Sequence, residues 1–147
     1  MLKAVYDQIM DTIGKKPPEC GGILGAGADG VISDYYFDVT GRSEPNAYVP
    51  DVEAVNQVLE AWHERGVHMV GIVHSHQDGL IAPSCGDIAY GVRILDALDA
   101  LERFYLPIVT SSEENVKING FLIEKKSGYQ SKCHEIEICC VNEAASL

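Results

Sequence analysis

A chain of 147 residues, 46% apolar and 22% charged, has the length and composition of one globular domain, expected to span residues 1–147. Its net charge of −11 repels phosphate backbones and anionic lipid, so nucleic acid and membrane surfaces are not expected partners. No apolar run reaches the roughly 18–20 residues of a bilayer span and the N-terminus does not read as an export signal, so a cytoplasmic protein with five reduced cysteines is expected.

Leu2, Val5, Tyr6, Ile9 and Ile13 recur at helical spacing and predict an amphipathic helix over 2–14, stopped by Pro17-Pro18. The small residues of ECGGILGAG (19–27) predict a buried strand that another backbone approaches closely. VISDYYFDVT (31–40) reads as a second strand, and 41–50 as a polar loop. Asp51 is a plausible N-cap for a helix whose face is Val52, Val55, Val58, Leu59 and Trp62, ended at Gly66. VHMVGIV (67–73), short and apolar, predicts a central strand running directly into His74. Ile88, Val92, Leu95, Leu98 and Leu101 mark a long helix over about 85–103. Strands are expected at 104–110, 115–126 and 134–141, with Ile136, Ile138 and Cys140 on one face of the last. The whole is a mixed α/β domain.

The stretch HSHQDGLIAPSCGD (74–87) carries the chemistry. His74 and His76 stand at i and i+2, so in extended chain both rings project to one side and can reach one ion. Asp87 follows eleven residues later, in the first turn of the long helix, where a carboxylate could close the set. Three such ligands leave a zinc ion one open position, which suits hydrolysis. Ser84, three residues before Asp87, is close enough to aim its hydroxyl at the same site. Glu19, at the start of the small-residue strand, is the candidate general base.

The arrangement Glu19 … His74-Ser75-His76-x7-Ser84-x2-Asp87 resembles the JAMM motif of the MPN+ (JAB1/MPN/Mov34) metalloprotease family. Gly71-Ile72-Val73, Pro83 and the GGILG after the glutamate agree with the motif's flanks, and the element order is similar over nearly the whole chain. Members often have proline after the second histidine; here Gln77 stands there. The resemblance implies a cytidine-deaminase-like α/β fold, with a central mixed sheet flanked by an N-terminal helix, a second helix and a long helix after the motif. It implies one catalytic Zn2+ held by His74, His76 and Asp87, Glu19 as base towards the water the zinc activates, and Ser84 as oxyanion stabiliser. The compact size resembles stand-alone prokaryotic members. These act on ubiquitin-like or sulfur-carrier proteins with a C-terminal diglycine, often alongside E1-like or E2-like enzymes.

Each feature also has a plainer reading. Ser84-x2-Asp87 before an apolar helix is close to a capping box. His63 near a helix end and His68 at a strand start read as structural. Cys85 could be a nucleophile, and Cys133, His134, Cys139 and Cys140 could bind a second, structural zinc, though no C-x2-C knuckle is present. For the whole chain, the alternatives to a zinc isopeptidase are a non-catalytic MPN scaffold and a zinc hydrolase of a small-molecule conjugate.

Overall fold

The computed structural model describes residues 1–45, 47–77, 79–112, 115–126 and 129–143. Among them are three α-helices and nine strands: α1 (Lys3–Asp11), β1 (Gly21–Ala26), β2 (Ile32–Phe37), β3 (Arg42–Glu44), β4 (Ala47–Val49), α2 (Val52–Glu64), β5 (His68–His76), α3 (Cys85–Ala97), β6 (Arg103–Tyr105), β7 (Ile108–Ser111), β8 (Val116–Lys126) and β9 (Tyr129–Ile136). No helix among the described residues is long and apolar enough to cross a membrane.

The strand predicted as central is the hub of a mixed sheet. One edge of β5 pairs antiparallel with β1, which carries β2 beyond it. The other edge pairs parallel with β6 and then β7, both of which pair antiparallel with β8, and β9 closes the far side. Successive side chains of a strand alternate between faces, and the core divides accordingly. Ile23, Ile72 and Ile108 face α2 and α3, packing with Val55, Trp62 and Leu95. Leu24, Val73 and Val109 face the other way, against Val5 and Ile9 of α1 and Ile13 of the short 3-10 turn that follows it.

The strand does not stop before the histidines. It runs through His74-Ser75-His76, whose backbones pair with Ile108, Val109 and Thr110. His74 and His76 therefore share the face of Ile72, towards α2 and α3, whereas Ser75 points to the α1 side.

Several predicted boundaries move, each for a local reason. The first helix ends at Asp11 rather than at 14, because Thr12 leaves helical geometry and its hydroxyl donates back to the Gln8 carbonyl at 2.7 Å. The polar loop 41–50 contains the ribbon β3–β4. The strand expected over 104–110 is two pieces, β6 and β7, interrupted at Leu106-Pro107, where proline has no N–H for a ladder. The long helix stops at Ala97, and the Leu98 carbonyl accepts instead from the Leu101 N–H (2.9 Å) and from Lys125 Nζ (3.0 Å). The final strand lies at Tyr129–Ile136, not 134–141, because β9 follows β8 as far as the Gly120–Ile136 pair. The chain then crosses to the N-terminus, where Lys3 N–H donates to the Val141 carbonyl at 2.8 Å.

Candidate metal centre

Three separate elements bring their side chains to one point. β5 supplies His74 and His76 on its α3-facing side. α3 supplies Asp87 from its first turn, and the segment entering β1 supplies Glu19. The β1–β5 register pairs Gly21 with His74 and Gly22 with Val73. Continued outward, it sets Glu19 opposite His76, so base and ligand candidates share one face.

The distances are short. His74 Nε2 and His76 Nε2 are 2.9 Å apart. Asp87 Oδ1 lies 3.3 Å from His74 Nε2 and Asp87 Oδ2 lies 3.2 Å from His76 Nε2. Ligand atoms held at 2.0–2.1 Å around a tetrahedral ion stand about 3.3–3.4 Å from one another. Glu19, His74 and His76 are all buried, and each offers a donor atom within 4.8 Å of the others, which makes this group able to hold a metal ion.

The tautomer of His76 sharpens the point. Its Nδ1 lies 3.0 Å from the Leu80 carbonyl, which can only accept, so Nδ1 carries the hydrogen. In the neutral ring Nε2 is then a bare lone pair, aimed at a second imidazole and a carboxylate. Lone pairs gathered in this way need a positive charge among them, and an outer-shell carbonyl on the far nitrogen is the usual support of a metal-ligating histidine. The donor set, two imidazoles and carboxylates, suits zinc.

Titration behaviour follows from the same crowding. Burial raises the Glu19 carboxyl, partly offset by the neighbouring imidazoles of the site and by the Gln77 backbone N–H, a donor that proline would lack. Burial also pushes the Asp87 carboxyl up, but hydrogen bonds from His74, His76 and Ser84 outweigh it and hold the group well below the usual carboxylate range. Its bond to Asp87 raises His76 against the opposing effect of burial.

Ser84 is placed differently from the other candidates. It is the N-cap of α3: its hydroxyl oxygen accepts the Asp87 N–H at 3.1 Å, and its own N–H donates to Asp87 Oδ2 at 2.7 Å. The capping box is therefore real, and it fixes the carboxylate that faces the histidines. The cap uses an oxygen lone pair of Ser84 and leaves its hydroxyl proton available.

The remaining candidates stay apart from this cluster. Cys85 is an exposed free thiol. Cys133 is partly buried on β9, Cys139 and Cys140 are exposed, and none joins a metal-binding group among the described residues. His63 and His68 stack edge to face at 5.9 Å, at the other end of β5.

Beside His74 and Asp87 lies a cleft of about 30 Å³, walled by Tyr48, Pro50, Ile72, Tyr90 and Leu106. Larger hollows, one of about 270 Å³ near residues 136–139 and one of about 450 Å³ where β5 begins, contain none of the four convergent groups. Sequence reasoning missed Tyr48 and its buried partner Asp38. Both fall in segments without a motif; only the fold brings Tyr48 to the cleft, with Asp38 behind it accepting its hydroxyl hydrogen bond.

Comparison with known proteins agrees with this architecture. The family model described as prokaryotic homologs of the JAB domain matches residues 2–118, and the chain belongs to that family. Its three helices and mixed central sheet are those of the JAB/MPN fold, and a JAB domain with a buried Glu19/His74/His76 group points to a metallohydrolase. The structure is similar to the solution structure of protein DSY2949 from Desulfitobacterium hafniense, with 20% sequence identity and a TM-score of 0.67 over 98% of this chain and 93% of that one. That likeness shows the shared fold. No curated protein matches the chain.

Proposed function

We propose that this chain is a zinc-dependent peptidase or isopeptidase of the JAMM type. It hydrolyses the amide bond after the C-terminal glycine of a ubiquitin-like or sulfur-carrier protein. The observation that carries the reading is the convergence of two imidazole Nε2 atoms and the Asp87 carboxylate within 2.9–3.3 Å, with the buried Glu19 carboxylate beside them.

His74, His76 and Asp87 would hold the ion. Zinc, when bound, lowers the pKa of water and polarises the scissile carbonyl. Glu19 takes the proton of the attacking water and returns it to the leaving amine. Burial raises its pKa above the ordinary carboxylate value, which makes it a better proton acceptor. The free hydroxyl proton of Ser84 is a donor for the oxyanion. Leu80 fixes the His76 ring through its carbonyl.

The surroundings favour a protein tail over a small molecule. A cleft of about 30 Å³ is narrow, which favours glycine over residues with a side chain at the scissile bond. It is far below the roughly 300–1,000 Å³ of a pocket that engulfs a drug-sized ligand. Leu80 and Ile81, 55% and 57% exposed in the loop between the second histidine and α3, offer apolar surface for the residues preceding the glycines. The retained donor set disfavours a purely non-catalytic scaffold.

The test is turnover of a diglycine-linked fluorogenic substrate by the zinc-loaded protein. Glu19→Gln should keep its zinc and lose about 10²–10⁴-fold in rate. A variant that cleaves as fast as the wild type removes Glu19 from the mechanism.

A further inference from the structure

Glu19 is not held by the sheet in the ordinary way. β1 begins at Gly21, so Glu19 and Cys20 precede its regular ladder. Their N–H groups are met by side-chain hydroxyls. Glu19 N–H donates to Ser43 Oγ at 2.9 Å, and Cys20 N–H donates to Ser75 Oγ at 3.1 Å. Ser75 belongs to β5, but Ser43 belongs to the separate ribbon β3–β4.

The same ribbon touches the next anchor point. Ser43 and Tyr48 are direct cross-strand partners, and such partners project from the same side of a ribbon. The Tyr48 ring lies over Gly21 so closely that a Cβ there would stand 2.5 Å from Tyr48 Cδ1. Tyr48 is itself pinned. Its hydroxyl donates to Asp38 Oδ2 at 2.7 Å, an oxygen that also accepts the Asp51 N–H at 2.8 Å. Asp38 is 2% exposed, and its own N–H donates to the Gly21 carbonyl at 3.0 Å. One cross-strand pair thus clamps both ends of the segment Glu19–Gly21.

We propose that the β3–β4 ribbon positions Glu19, with Ser43 holding its backbone and Tyr48, anchored on Asp38, fixing Gly21 two residues on. The inference rests on the reading of Glu19 as the base. A base must be held to a fraction of an ångström, and a displacement of about 1 Å can cost on the order of 10²-fold in rate. Removing the Ser43 acceptor frees the residue that carries the carboxylate without touching a proposed ligand. Ser43 and Tyr48 are positioning residues in this scheme.

The experiment compares Ser43→Ala and Ser43→Thr in the zinc-loaded protein. Two readouts are taken: hydrogen exchange of the Glu19 amide by NMR, and kcat and KM on the diglycine-linked substrate. Ser43→Ala should speed exchange at Glu19 about tenfold or more and lower kcat about tenfold, with KM and zinc content unchanged. Ser43→Thr, which keeps the hydroxyl oxygen, should return both towards the wild type. Tyr48→Phe, which keeps the ring over Gly21 but loses the anchor, should lower kcat in the same sense. Faster exchange without a fall in kcat overturns the proposal, as does an unchanged amide in Ser43→Ala. If the wild-type protein cleaves no such substrate, the proposed function fails separately, and the exchange comparison alone decides whether the ribbon holds residue 19.

Discussion

Asp87 has two employments, one in the capping box of α3 and one facing the histidines, and Asp87→Asn pulls them apart. An asparagine keeps a side-chain oxygen for the Ser84 N–H, now 2.7 Å from Asp87 Oδ2, so the cap survives. What is lost is the negative charge opposite His74 and His76. In metal-free protein the imidazoles are buried and the carboxylate mostly so, and losing the charge should cost about 1.5 kcal/mol, or roughly 3–6 °C in melting temperature for a domain of this size. Zinc affinity should fall much further. Disturbing an outer-shell partner costs about 10–100-fold, and removing an anionic ligand should exceed the upper figure, about 2.7 kcal/mol. Ser84→Ala is the converse control. It removes the N-cap, costing about 1 kcal/mol, yet leaves the carboxylate, so zinc affinity should stay within about tenfold. Competition against a chromophoric chelator gives the affinities, and thermal unfolding with and without zinc gives the stabilities. If Asp87→Asn holds zinc within threefold of the wild type, or if Ser84→Ala loses it equally, the carboxylate is a cap and no more.

The metal-free protein should lose stability as pH rises through neutrality. His76 is raised in the fold chiefly by Asp87, so its contribution is complete below its unfolded value of about 6.5 and is lost as pH climbs through the raised folded value. The extra stability conferred by zinc should grow over the same range, because the ligands bind deprotonated; parallel slopes in melting temperature between pH 5.5 and 8.5 would contradict the shared site. Gly71→Ala drives a methyl into the Tyr105 carbonyl across the β5–β6 contact and should cost about 1–3 kcal/mol, read by denaturant unfolding; a neutral result would show the two strands free to separate. Leu95→Ala, at a side chain 0% exposed between α3 and the sheet, should cost about 3 kcal/mol and leave zinc stoichiometry intact.

The histidine-bearing strand was legible because its signal is local. An apolar run with i, i+2 histidines fixes both strand and face, and Ser84-x2-Asp87 fixes the helix start. The limits of elements were less legible. Leu98 and Leu101 continue the helical period of α3, but the Leu98 carbonyl is claimed by Lys125 and Leu101, so periodicity overran the end. Ile136, Ile138 and Cys140 alternate as a strand should, yet the edge available to them ends at Gly120, a limit set by another strand. In the site, Glu19 could be named from its neighbours, but its distance from the histidines depends on the β1–β5 register. Tyr48, Ser43 and Asp38 gave no local signal at all. Their roles arise from contacts between residues far apart in the chain, which no short pattern encodes.

The strand β5 is fastened along both flanks through its last residues, with Ser75 N–H bonded to the Cys20 carbonyl and the 74–76 backbone paired to β7. The two rings are thus carried by backbone that is paired on both sides. Whatever tunes this centre without dismantling the sheet has two handles left: the lead-in to β1 and the opening turn of α3. A binding protein that switches the chemistry on or off would have to pull on one of these, and the histidines would stay where they are.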